Sequence, residues 1–207
     1  VGFFYFSGIR ELYNSLKNNP DVRLDVLVGL NVDKTIHGLT EYSDTTKGFT
    51  DKEKFEHLLT SISKSINSDD FDNQGFYDQA RFFIESIKQD KLRIRKTYDP
   101  NHAKLYIFKL KDELATIKKA FFITGSSNLT KAGLSHQDEF NVEISDYGAK
   151  EAEDYFDKLW EEAVKVTEVS AFQQRLIDLL EKKTLLTEVT PYEAFALVLK
   201  TYIELQE

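Results

Sequence analysis

Residues 91–146 read KLRIRKTYDPNHAKLYIFKLKDELATIKKAFFITGSSNLTKAGLSHQDEFNVEISD, and this stretch decides the fold. Four runs within it, KLRIRKTY (91–98), AKLYIFKL (103–110), AFFITGSS (120–127) and EFNVEISD (139–146), are rich in β-branched and aromatic residues and are expected to be strands. Strands that succeed one another through short links form an antiparallel or mixed portion of a sheet. Upstream, Gly2–Ser7 and RLDVLVGL (23–30) also read as strands, and they bracket a helical GIRELYNSLK (8–17) in a β-α-β pattern.

Further helices surround these strands. DKEKFEHLLTSISKSI (51–66) and FYDQARFFIESIKQ (76–89) flank the turn-rich NSDDFDNQG (67–75), with Phe55, Leu58, Leu59 and Ile62 at helical spacing and Asp51 as the expected cap. In EAEDYFDKLWEEAVKV (151–166), one stripe carries Ala152, Tyr155, Phe156, Leu159, Trp160 and Ala163, which suits a helix lying on a sheet face. The expected fold class is therefore α/β, a mixed sheet sandwiched between helices. After Val169 no strand pattern remains. AFQQRLIDLLEKK (171–183) and PYEAFALVLKTYIELQ (191–206), the latter opened by Thr190-Pro191, read as a C-terminal helical connector. The organisation expected is a domain over 1–167 and a connector over 168–207 leading to a further domain, the chain being a piece of something longer.

Composition narrows the chemistry. The chain has 207 residues, 41% hydrophobic and 30% charged, with 16 Phe and 10 Tyr, as in an ordinary globular protein with an aromatic core. It contains no cysteine, so disulfides, thiolate metal sites and cysteine nucleophiles are excluded. No apolar run approaches the roughly 18–20 residues that cross a bilayer, so no membrane association and a cytoplasmic location are expected. The net charge of −8 argues against indiscriminate nucleic-acid binding. Its distribution is uneven, however. Lys88 to Lys131 holds eleven Lys or Arg against four acids, a local +7, so the remainder carries −15. Such a stretch is either a polyanion footprint or a set of solvated strand edges.

Two short motifs carry the chemistry. If HAKLYIF (102–108) is a strand, His102 and Lys104 point to one face and Ala103 and Leu105 to the other. Further on, Gly125-Ser126-Ser127-Asn128 closes a buried strand and opens a turn, where glycine permits close approach of a ligand and Ser126 and Asn128 can present a hydroxyl and an amide to phosphate oxygens. Ser127 and the turn's backbone amides belong to the same expected phosphate site. Glu139 opens the following strand, with Asn141 on its own face.

The succession H-x-K, G-S-x-N and a later acidic residue resembles the phospholipase D superfamily, in its single-motif nuclease-like branch, over roughly Val1–Val166. One position departs from that family's pattern. Where its aspartate falls, five residues after the lysine, this chain has Lys109, and Asp112 comes three residues later. Many nuclease-like members manage without this aspartate. The resemblance implies a phosphohistidine mechanism without metal or other cofactor: His102 as nucleophile, Lys104 and Asn128 neutralising non-bridging oxygens, and Glu139 orienting the nucleophile's ring. A second histidine is needed to protonate the leaving oxygen. His37 (TIHGL) and His57 (EKFEHLL) read as exposed or core-edge histidines, whereas His136 (SHQDE), just before Glu139, could approach the site, though its spacing does not demand it. In single-motif members two copies pair about a two-fold axis, so the resemblance implies a homodimer. It implies nucleic acid as partner, DNA more than RNA, in a helicase-associated restriction or repair protein, because TPYEAFALVLKTYIE (190–204) is similar to the junction that precedes bacterial superfamily II helicases. The alternative from another class is a non-catalytic DNA-binding or dimerisation module using the same phosphate cradle.

Overall fold

The structure, a computed structural model, describes residues 6–35, 38–42, 48–66, 74–111, 120–129, 134, 138–145 and 148–184, with 195–196, 198–199 and 202–203 near the C-terminal end. The chain runs α1 (Phe6–Glu11), α2 (Tyr13–Asn18), β1 (Leu24–Val28), β2 (Asn31–Thr35), β3 (Gly38–Tyr42), α3 (Asp51–Ser65), α4 (Gln74–Lys88), β4 (Leu92–Lys96), β5 (Leu105–Lys109), β6 (Ala120–Gly125), β7 (Asn141–Ile144), α5 (Ala149–Glu162), β8 (Val164–Lys165) and α6 (Ser170–Lys183). As expected, it is a mixed α/β fold. The strands fall into two three-stranded sheets, ordered β1-β4-β8 and β5-β6-β7, and a β2-β3 hairpin.

In the first sheet β1 runs parallel to β4, with Val26 opposite Ile94 and Val28 opposite Lys96. Because side chains alternate across a strand, the two faces of β1 meet different partners. Val26 and Val28 join Phe55, Leu58 and Ile62 of α3, Phe76, Phe83 and Ile87 of α4, and Leu176, Ile177 and Leu180 of α6 in one buried core. Leu27 turns the other way and packs with Trp160, Ala163, Phe156 and Leu159 of α5 and its end. This sheet is thus covered on both sides, which explains why RLDVLVGL is an almost unbroken apolar run. Burial of each large core side chain contributes about 1.5–3 kcal/mol. α6, beyond the boundary expected near Thr167, is part of this same core, and Phe172 stacks on Phe55 at 4.2 Å between ring centroids.

Several local expectations differ from the structure. Phe6 and Ser7, read as the end of a strand, begin α1, and residues 1–5 lie outside the described residues. The helix expected over 8–17 is broken at Leu12 into α1 and α2. The β2-β3 hairpin was not foreseen. Thr50, not Asp51, caps α3: its hydroxyl accepts from the Glu53 amide and the Glu53 side chain accepts from the Thr50 amide, a complete capping box. α5 ends at Glu162 rather than Val166, because Val164 and Lys165 leave the helix to pair with β4. The turn expected at 67–75 and the helix expected over 191–206 fall largely outside the described residues.

The second sheet is an antiparallel meander, β5 pairing with β6 and β6 with β7. α5 packs against β5 and β6 as well as covering Leu27. The link between the sheets sits at the carboxyl end of the parallel pair. There the Gly29 carbonyl accepts from the Asn101 amide at 3.2 Å, and a Cβ on Gly29 would lie 1.8 Å from the Asn101 carbonyl oxygen. Only glycine lets the segment before β5 cross this close. Ligand crevices in α/β folds form at such carboxyl ends.

Candidate active site

His102 and Lys104 lie in the segment just before β5, not within a strand. They come together all the same. The segment is pinned by Asn101, whose Oδ1 accepts from the Ala103 amide at 2.9 Å and whose Nδ2 donates to the Tyr155 hydroxyl of α5 at 2.8 Å. Lys104 Nζ lies 2.6 Å from His102 Nε2 and 3.1 Å from the His102 carbonyl oxygen. An ammonium can only donate, so Nε2 presents its lone pair to Lys104 and a neutral ring carries its hydrogen on Nδ1.

Across the cleft, β6 ends at Gly125 and the chain turns through Ser126, Ser127 and Asn128 to Leu129, which is buried in the main core. The residues lining the cleft are His102, Ala103, Lys104, Thr124, Gly125, Ser126, Asn128 and Glu139. Five of the six expected site residues therefore face one space. Ser127 does not: it is buried, its hydroxyl accepts from Asn141 Nδ2 at 2.7 Å and its carbonyl accepts from the Tyr106 hydroxyl at 2.9 Å. Glu139 precedes β7, and its carboxylate accepts from the Ser126 hydroxyl. The Asn128 Oδ1 is buried without a hydrogen-bond partner among the described residues. Leaving such an oxygen unpaired costs about 1–3 kcal/mol, a frustration that functional sites tolerate more than cores do.

Tyr106 was missed by the sequence reading. Its phenol is pushed up to about 12, first by burial and then by the Glu139 charge, so it remains a donor throughout the physiological range. Strand alternation was the available signal, since Tyr106 follows Lys104 by two residues.

Other expectations resolve differently. His57 packs edge-on against Phe49 at 4.8 Å, and it does not line the cleft. His37 and His136 lie outside the described residues. Much of the basic stretch is directed at the protein's own carboxylates. Arg93 pairs with Asp25 at 2.6 Å, Arg95 with Glu168 at 2.5 Å, Lys109 with Glu153 at 3.2 Å and Lys111 with Asp21 at 2.9 Å, and Lys88 lies 3.5 Å from Glu85. Four cations of this stretch are thus matched by acids distant in sequence. Lys118, Lys119 and Lys131 lie outside the described residues.

A two-sided α/β scaffold that brings a His-x-Lys pair against a Gly-Ser-Ser-Asn turn belongs to the phospholipase D-like class, whose domains are phosphodiesterases in general. A family model described as cardiolipin synthase, PLD-like domain, matches residues 4–160, and the chain belongs to that family. No curated protein matches it at a significant level. Among the described residues, no helix is long and apolar enough to cross a membrane.

Proposed function

We propose that the chain cleaves phosphodiesters of nucleic acid, DNA before RNA, through a phosphohistidine on His102. The observation that carries this reading is the convergence of His102, Lys104, Ser126, Asn128 and Glu139 on one cleft. A phosphate entering there competes with His102 for the Lys104 ammonium. Moving Lys104 onto a non-bridging oxygen frees the Nε2 lone pair, which attacks phosphorus while the bond to the leaving oxygen breaks. Lys104 and the Asn128 amide neutralise the charge that builds on the phosphoryl oxygens. Water then hydrolyses the phosphohistidine. Each step needs a proton donor or acceptor opposite His102, and a second copy of the chain supplies it through its own His102, so the active form is a homodimer.

Nucleic acid is favoured over lipid because Phe140, next in sequence to the cleft-lining Glu139 and backbone-paired to Ser126, is 76% exposed, a ring on which a base can stack. A cytoplasmic location and a helicase domain following this one are part of the same proposal. The helicase part rests on TPYEAFALVLKTYIE and is checked by reading the full-length frame.

The test offers fluorescent oligonucleotides and phosphatidylglycerol vesicles to the protein in EDTA. Oligonucleotide cleavage that survives EDTA and falls about 10³-fold or more in His102→Ala is expected. Hydrolysis of vesicles alone would reassign the substrate. Activity lost in EDTA and restored by magnesium would overturn the phosphohistidine mechanism.

A further inference from the structure

Gly125 is the last residue of β6, and the rest of the turn, Ser126-Ser127-Asn128, lies past the strand. Its position comes from side chains outside the turn, and these converge on Ser127. The Ser127 amide donates to Asn141 Oδ1 at 3.4 Å, the Ser127 hydroxyl accepts from Asn141 Nδ2 at 2.7 Å, and the Ser127 carbonyl accepts from Tyr106 at 2.9 Å. One residue is thus gripped through its donor, its hydroxyl and its carbonyl. Asn141 is itself fixed, since it pairs with Gly125 in the β6-β7 ladder. Its amide lies across the strand where a side chain on residue 125 would be: a Cβ on Gly125 would come 2.5 Å from Asn141 Oδ1 and 2.2 Å from the Phe140 carbonyl oxygen. Glycine at 125 and asparagine at 141 are therefore two halves of one device.

The residues on either side of Ser127 are the ones that face the cleft. Ser126 is held from the same strand end, its amide donating to the Phe140 carbonyl and its hydroxyl oxygen accepting from the Phe140 amide, each at 3.1 Å. Asn128 follows immediately, with no hydrogen bond to its buried Oδ1 among the described residues. Displacing Ser127 would move both.

We propose that Asn141, seconded by Tyr106, is the positioning residue of the anion cleft: it sets where Ser126 and Asn128 stand relative to His102 and Lys104 without touching substrate. This rests on reading the cleft as a phosphodiester site. Misplacement by about 1 Å costs on the order of 10²-fold in turnover. Asn141→Leu, nearly isosteric and unable to hydrogen-bond, is expected to lose about that factor in kcat, with a smaller change in KM. Asn141→Asp is expected to recover most of it, because a carboxylate accepts from both the Ser127 amide and the Ser127 hydroxyl once the latter reverses its sense. Ser127→Ala removes only the hydroxyl bond, so combining it with Asn141→Leu should be no worse than Asn141→Leu alone, as for residues sharing one interaction.

The experiment measures kcat and KM on an oligonucleotide for these variants, the thermal midpoint of each, and the binding of inorganic phosphate followed by the amide resonances of Ser126 and Asn128. Leu and Asp variants impaired alike, a kcat loss that tracks the thermal midpoint across the series, or an Asn141→Leu protein with unaltered kcat and phosphate affinity would overturn the proposal. If the wild type binds phosphate yet cleaves nothing, the catalytic reading fails, and the positioning role stands or falls on whether Asn141→Leu weakens phosphate binding. A wild type that binds no phosphate sinks both.

Discussion

Lys109 stands where the superfamily pattern has aspartate, and its surroundings account for that departure. The ammonium reaches Glu153 on α5, so this position ties β5 to a helix and does not address the cleft. A charge reversal relative to the family is absorbed by a partner of opposite sign. A more buried case is Arg95, 5% exposed in its side chain, which donates to both oxygens of Glu168 and to the Trp160 carbonyl while stacking over the Trp160 ring at 4.4 Å. The hydrogen bonds from Arg95 hold the Glu168 carboxyl below its ordinary 4.5, against the opposing effect of burial. A depressed carboxyl stabilises the fold above the unfolded value and loses that contribution as pH falls through the folded one. Glu168→Gln leaves the guanidinium without its counter-charge and is expected to cost about 2–4 kcal/mol near neutral pH. Urea unfolding at a series of pH values should show the gap between wild type and variant narrowing below pH 4.5.

At the scale of elements, caps and strand ends decide what periodicity leaves open. Apolar spacing located α3, but its start depends on hydrogen bonds that either Thr50 or Asp51 could have made. Thr50 wins because Glu53 stands three residues on and closes the reciprocal bond, at 2.8 Å from the Thr50 amide. Thr50→Ala should lower the unfolding free energy by about 1 kcal/mol, measured by urea denaturation, without altering the cleft. α5 shows the converse. Ala163, Val164 and Val166 continue its apolar stripe, yet the chain leaves the helix at Ala163. Lys96 and Arg95 offer β4 as a partner, the Val166 amide donates to the Ile94 carbonyl at 3.1 Å, and the Ile94 amide donates to Thr167 Oγ1 at 2.9 Å. A vacant strand edge satisfies more backbone groups there than another helical turn would, and no local window of sequence contains that edge.

At the scale of the molecule, the core takes in α6. Leu176, Ile177 and Leu180 are each 3% exposed or less and pack with α3 and α4, while Arg175 pairs with Glu56. Leu176→Ala is expected to cost about 2–5 kcal/mol, read from urea denaturation. Assembly is tested by mixing. Under the proposed dimer, the two-step displacement at His102 is completed by the partner's imidazole. When wild type and His102→Ala are fully exchanged, heterodimers should be inactive and activity should follow roughly the square of the wild-type fraction. Strict proportionality would show that each chain holds a complete site.

From sequence alone came the α/β class, the five strand runs that hold β1, β4, β5, β6 and β7, the helices α3 and α4, and the choice of His102, Lys104, Ser126, Asn128 and Glu139, which line one cleft, because these depend on local periodicity and on short motifs whose chemistry is written in residue types. Only the tertiary structure decided that Ser127 faces inward to Asn141 and Tyr106, that β8 interrupts a helical pattern, and that Arg93, Arg95, Lys109 and Lys111 of the basic stretch are matched by Asp25, Glu168, Glu153 and Asp21. The physical reason is the same each time. Periodicity reports which face of an element is apolar, whereas hydrogen bonds and ion pairs between residues tens of positions apart depend on which elements become neighbours, and that is settled when the core packs.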